Sequence, residues 1–306
     1  MRDGFGGMAQ LTLEDSGTLW YEDTGEGPVL VSVHGWAMHG GLFAPQVELA
    51  GRFRLITPDL RGHGRSSPIG PGQDLATLAA DLGVLLERLS LERVLLHGWS
   101  MGALVVWELM AGPAAARVAG LIVEDMSPRI LNDRSWQLGL LGGHDRATTE
   151  RLILQMSSDW PAYIELFVPR IFAARRAARD ARLLQVARAA ALQADPASMA
   201  RLWASMAGAD FRAIVPRISV PTWIVHGGAS QLYPTAVSQW LVSQMPNARR
   251  VCFETCGHAP HLEDPAHFNR VITDCADALG LLRAEHASGS APAEVELETP
   301  VTGDRS

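Results

Sequence analysis

The chain has no lysine. All 26 basic residues among its 306 are arginine. Schiff-base chemistry through a lysine amine is therefore excluded, and so is a P-loop lysine. Cysteine is scarce: Cys252, Cys256 and Cys275 form no C-x-x-C pair. An odd, sparse set points to free thiols in a reducing compartment rather than to a disulfide framework. Positive charge is in deficit, since 33 acidic residues leave a formal net charge of −7, which argues against general nucleic-acid affinity. No segment is apolar for long enough to span a membrane. No N-terminal stretch joins a basic segment to a long apolar run, so the expected location is cytoplasmic. No spacing of His, Cys and acidic residues suggests a metal site, and no cofactor is expected.

What is present is a chain that is 47% hydrophobic, enough for a substantial core. Residues 1–8 read as a loose start, and Leu11 to Glu22 alternates like a hairpin. Short apolar runs then recur: Val29–Val33, Arg54–Thr57, Val94–Leu96, Ala119–Val123, Pro221–Val225 and Arg250–Phe253. Leu75 to Leu89 has apolar residues at helical spacing. Fully apolar strands alternating with helices predict an α/β fold with a mostly parallel sheet covered on both faces. Polar residues gather where the strands end, which is where such sheets place their active sites.

Residues 129–210 break the alternation. They are rich in Ala, Leu and Arg with no strand candidate, and read as a helical cap inserted between a first core segment, 1–128, and a second, 211–284. Residues 285–306 have almost no large apolar groups and read as a disordered, dispensable tail.

The most informative stretch is Gly98-Trp99-Ser100-Met101-Gly102. This G-x-S-x-G pentapeptide follows an apolar strand and precedes an amphipathic run. Strand, sharp turn, helix is the context of a nucleophile elbow, which would hold the Ser100 hydroxyl alone at the carboxyl end of the sheet. His258 follows the last strand in Gly257-His258-Ala259-Pro260-His261-Leu262-Glu263-Asp264-Pro265, with His261 as a rival base three residues on. His34-Gly35-Trp36 and Asp59-Leu60-Arg61-Gly62-His63-Gly64-Arg65-Ser66 end two further strands.

With these four motifs in order, the chain resembles an α/β-hydrolase from about residue 10 to 283. His34-Gly35-Trp36 and Gly98-Trp99-Ser100 resemble the pimeloyl-carrier-protein methyl ester esterases, while Val123-Glu124-Asp125-Met126-Ser127-Pro128 is similar to another group of small acyl esterases. The resemblance implies an α/β-hydrolase sheet with an inserted cap, Ser100 as nucleophile, His258 as base and an acyl-enzyme. The backbone N–H groups of Trp36 and Met101 would form the oxyanion hole. His34 is expected to brace its loop, and Asp59, Arg61 and Ser66 to support it.

The third triad member departs from the pattern. The usual acid follows the Pro221–Val225 strand, but no Asp or Glu lies between Asp210 and Glu254, and Ser230 stands about where it is expected. The nearest carboxylates are Glu124 and Asp125. Adjacent strand residues point to opposite faces, so only one can serve. Asp125, placed before Met126-Ser127-Pro128, resembles a variant of the fold with a migrated acid.

The expected substrate is a small-molecule carboxylic ester. The run Arg170, Arg175, Arg176, Arg179, Arg182 and Arg188 reads either as a solvated helix face or as a docking surface for an acidic acyl carrier protein. Haloalkane dehalogenation is disfavoured because the elbow carries Ser and not Asp. C–C bond hydrolysis, acyl transfer and a weakly catalytic ligand-binding role remain as alternatives.

Overall fold

Six parallel neighbours and an antiparallel edge build one sheet in the order β1-β2-β4-β3-β5-β6-β7-β8. Its strands are β1 (Gly7–Thr12), β2 (Thr18–Thr24), β3 (Val29–Val33), β4 (Arg54–Asp59), β5 (Val94–Trp99), β6 (Val118–Glu124), β7 (Thr222–Gly227) and β8 (Ala248–Phe253). The computed structural model describes residues 7–282. The segment 285–306, expected to be a disordered tail, lies outside the described residues. β1 begins at Gly7, inside the stretch read as a loose start. It is an edge strand paired only with β2, and Met8 is exposed. An edge strand with little to bury carries no apolar signature in the sequence.

The central strands are apolar on both sides because both sides are covered. Val94 and Leu96 of β5 join the core that holds α1 (Leu75–Arg88) and α2 (Met101–Met110). Leu95, between them, joins Ile122 and Val225 on the other face. There they meet Phe268, Val271 and Ile272 of α10 (Pro265–Ala278). Period-two alternation sends successive side chains into two different cores. α1 starts where Asp74 accepts from the N–H groups of Ala76 and Thr77 while the Thr77 hydroxyl accepts from Asp74 N–H.

Between β6 and β7 the chain leaves the sheet. It forms α3 (Arg146–Ser158), α4 (Trp160–Phe167), α5 (Ala174–Ala177), α6 (Ala181–Gln193) and α7 (Pro196–Gly208). Asp145, Asp159, Asp180 and Asp195 each accept a backbone N–H at the start of α3, α4, α6 and α7, which separates the helices at fixed points. α8 (Ala236–Gln244) and the short α9 (Pro260–Glu263) complete the second half. Among the described residues no helix is long and apolar enough to cross a membrane.

Candidate active site

Ser100 joins β5 to α2 with φ 55 and ψ −125, a conformation that costs a non-glycine residue on the order of 1–3 kcal/mol. The turn is pinned on both sides: Ser100 N–H donates to Glu124 O at 3.0 Å, and Ala103 N–H to Ser100 O at 2.8 Å. Gly102 is required by close approach, because a Cβ there would lie 2.2 Å from the Val33 carbonyl oxygen. Six non-glycine residues among those described have positive φ, and three of them, Ala37, Ser100 and Asp125, lie just past the ends of β3, β5 and β6. Strain is concentrated at the edge where the polar residues converge.

His258 follows β8 and is buried. Trp99, next to Ser100, donates its indole N–H to the His258 carbonyl at 2.7 Å, and His258 N–H donates to Ile171 O at 2.8 Å. The loop is thus tied to the elbow on one side and to the segment between α4 and α5 on the other. Its Nδ1 lies 2.6 Å from Asp125 Oδ2. Asp125 stands one residue past β6, and β6 pairs with β5 so that Trp99 faces Glu124. Its carboxyl is buried, which alone would push its pKa up. The hydrogen bonds of His226 and His258 outweigh burial and hold it at about 2, so it stays ionised.

Glu124, the other candidate acid, points the opposite way. Its Oε2 lies 2.9 Å from His97 Nε2, and its Oε1 meets both His261 Nδ1 at 2.9 Å and the His261 N–H at 3.0 Å. The structure therefore brings Asp125 to His258 and Glu124 to His261. The rival base is fully buried among Phe43, Trp99 and Phe268.

The loop after β3 packs on the elbow: a Cβ on Gly35 would lie 3.0 Å from Ser100 Cβ. Ala37 N–H is taken by His63 Nε2 at 3.1 Å and Met38 N–H by Gly35 O at 3.2 Å. His34 accepts from Leu60 N–H at 2.9 Å, and burial lowers its pKa to about 4, which leaves it neutral. Both histidines are fastened to backbone, as bracing requires. Asp59 caps the N–H groups of Gly40 and Arg65, and Arg61 is buried between Asp81 and Asp15. The Ser66 hydroxyl donates to Asp59 O. Of these only Asp59 reaches the segment after β3, through Gly40 N–H; Arg61 ties its own turn to α1 and to Asp15. The Trp36 indole donates to Met199 O at 3.0 Å. Its ring lies edge-on to Trp160, Tyr163, Phe167 and Trp203.

Three of those rings also line a cavity of about 220 Å³ under α3, α4 and α7. Leu140, Leu152 and Leu232 complete its apolar wall, with Arg170, His144 and Gln155 as polar members. A roomier groove of about 590 Å³ runs along α1 and α2; the motif residues line neither space.

Several positions make contacts to which the sequence reading assigned no role. Glu263 accepts from Gly257 N–H at 2.6 Å and from Ala173 N–H at 3.0 Å, fixing the start of the His258 loop against the cap. His226 contacts Asp125 Oδ1 at 2.7 Å. Ser230 sits in the usual acid slot and donates its hydroxyl to Asp125 Oδ2 at 2.7 Å. The missing acid in that loop was the one visible hint.

The sequence profile of the alpha/beta hydrolase family matches residues 30–271. A pimeloyl-[acyl-carrier protein] methyl ester esterase of Nitrosomonas europaea is 32% identical over 262 residues, which span 84% of this chain and 98% of that protein. Among solved structures, an esterase from Exiguobacterium antarcticum shares the fold with a TM-score of 0.82 at 24% identity, over 88% of this chain and 99% of its own. A bromoperoxidase from Bacillus anthracis matches with a TM-score of 0.81 at 25% identity, over 89% and 100%.

Proposed function

The chain belongs to the alpha/beta hydrolase family and is a carboxylic ester hydrolase, and from that premise we propose that it works through an acyl-enzyme on Ser100. His258 donates Nδ1–H to Asp125, which leaves Nε2 to take the Ser100 proton. The alkoxide attacks the ester carbonyl. The oxyanion that forms is met by the N–H groups of Trp36 and Met101, the latter at the positive end of α2. Collapse expels the alcohol, to which His258 returns the proton. Water, activated by the same imidazole, then releases the acid. Asp125 stays ionised throughout and stabilises the imidazolium.

The contact that carries this reading is the 2.6 Å pair of His258 Nδ1 and Asp125 Oδ2, flanking the strained Ser100. The weakly catalytic alternative drew its support from an empty acid slot, and a carboxylate on the neighbouring strand end removes that support. A panel of p-nitrophenyl esters of graded acyl length tests the reading. Ser100→Ala should lose about a thousandfold or more in turnover. A folded variant that keeps wild-type turnover would overturn the assignment.

We further propose that the acyl chain lies in the cavity under α3, α4 and α7, and that the ester is presented on an acidic acyl carrier protein. The relative's own substrate supports this. So does the arginine face: Arg175, Arg176, Arg179 and Arg182 are exposed, and Arg170 borders the cavity.

A further inference from the structure

Asp125 carries one histidine more than the reaction uses. Its Oδ2 serves His258 Nδ1 at 2.6 Å and the Ser230 hydroxyl at 2.7 Å. Its Oδ1 faces His226 Nδ1 at 2.7 Å and the Gly227 N–H at 3.3 Å. On its far side, His226 Nε2 meets the Thr235 hydroxyl at 3.1 Å. His226 and Asp125 are both buried.

We propose that His226 is a positioning residue of the ester-cleaving reaction: with Ser230 it clamps the migrated carboxylate toward His258 and shares its charge. The inference rests on the reading of Asp125 as the acid. Asp125 sits in left-handed backbone, φ 45, past the end of β6. Its side-chain donors other than His258 come from the end of β7 and the loop after it, the segment that holds the acid in the usual arrangement. That segment is pressed against the His258 loop, since a Cβ on Gly227 would lie 1.7 Å from Gly257 O. The acid has moved one strand over, and its former loop now supplies donors to it.

The clamp has a signed consequence. The Nδ1–H of His226 draws on the same negative charge that stabilises the His258 imidazolium. Without it, more charge is left for His258 and less fixes its direction. The acid limb of kcat/KM should therefore move to higher pH while kcat falls. The elements packed around His226 carry other ionisable groups. Opposite it on β8, the Cys252 thiol is pushed up by burial and by Glu254. In the loop, the Tyr233 phenol is pushed up by burial. Arg250 of β8 is bonded to Ser238, α8 presents Thr235 and no ionisable side chain, and Glu263 of α9 is engaged by two backbone N–H groups while burial pushes its carboxyl up.

The test is the pH dependence of kcat and kcat/KM for His226→Leu, His226→Asn and Ser230→Ala on one p-nitrophenyl ester. An asparagine amide can stand where Nδ1 stands. His226→Leu should lose roughly tenfold or more in kcat, as expected for a hydrogen bond to a charged group, with KM unchanged and the acid limb moved up. His226→Asn should recover most of that loss and the wild-type limb. Ser230→Ala should shift both quantities in the same direction as His226→Leu. Equal losses in the Leu and Asn variants, or an unmoved acid limb, would overturn the clamp. If His226→Leu does not fold, an unmoved limb in Ser230→Ala overturns it alone. Ser100→Ala in the same assay separates the two readings. Activity retained there refutes the acyl-enzyme, whereas loss there with an unaltered His226→Leu profile refutes only the clamp.

Discussion

At the residue scale, the carboxylate of Asp125 accepts from three side chains and a backbone amide. An amide in its place can offer one oxygen and must present a donor to groups that are themselves donors. His258 would then lose both its charge partner and its tautomer control. Asp125→Asn should therefore cost about 10³–10⁴ in kcat, measured in single-turnover kinetics, and should also lower the unfolding midpoint, because buried donors lose their acceptor, at about 1–3 kcal/mol. Ser230 Oγ and His258 Nδ1 contact the same oxygen, Oδ2, at 2.7 and 2.6 Å. A carboxylate at position 230 can then reach the imidazole, and Asp125→Asn with Ser230→Asp should regain part of the loss. A near-wild-type Asp125→Asn would remove Asp125 from the triad.

At the element scale, β6 divides its last two acids between two tasks. Asp125 faces His258, and Glu124 holds α9, the short helix beyond His258, through the His261 N–H and ring. The sequence alone suggests that Glu124→Gln is mild. The structure assigns it a cost in stability, because a Gln amide leaves one of two buried imidazole donors unmatched, worth about 1–3 kcal/mol. Burial pushes the Glu124 carboxyl up, but His261 and His97 bring it to about 2, below its ordinary 4.5. Asp125 is likewise held at about 2 against 3.8. A depressed carboxyl contributes stability above its unfolded value and loses it as pH falls toward the folded one. The urea midpoint should thus decline below about pH 4.5 and toward pH 2. Glu124→Gln should lower the midpoint at neutral pH and flatten that decline. An undiminished acid slope in the variant would refute the assignment.

At the scale of the whole molecule, a chain of net charge −7 carries a run of exposed arginines in the helical segment between β6 and β7. Part of the run is neutralised: Arg176 pairs with Asp180 at 3.0 Å and Arg188 with Glu165 at 2.6 Å. Among the described residues Arg175, Arg179 and Arg182 have no ion-pair partner and are exposed. If the face receives an acidic carrier, reversing these three to Glu should raise KM for a carrier-linked ester roughly tenfold or more and remove its salt dependence. The corresponding free methyl ester should be unaffected. Equal responses for both substrates would leave the face a solvated helix surface.

The sequence by itself determined the sheet and its order of chemistry. A buried parallel strand must be apolar on both sides, and the turn after it must be small and polar, so Val94–Leu96 and Gly98-Trp99-Ser100-Met101-Gly102 are legible without coordinates. His258 and the loop after β3 were legible only through the resemblance of their motifs to the family. Of edge strand β1 only the end from Leu11 was legible, as one arm of the hairpin, because Gly7–Gln10 bury little. Which of Asp125 and Glu124 lies beside His258 was decided only by tertiary structure. Both are acids at one strand end, and what separates them is which face meets the His258 loop. His226 and Ser230 were likewise invisible as partners of Asp125, for a contact across 105 residues, Ser230 to Asp125, leaves no periodicity or motif in the chain. Which charges a buried carboxylate answers to is settled by packing between elements, and packing is a property of the folded sheet rather than of any segment of it.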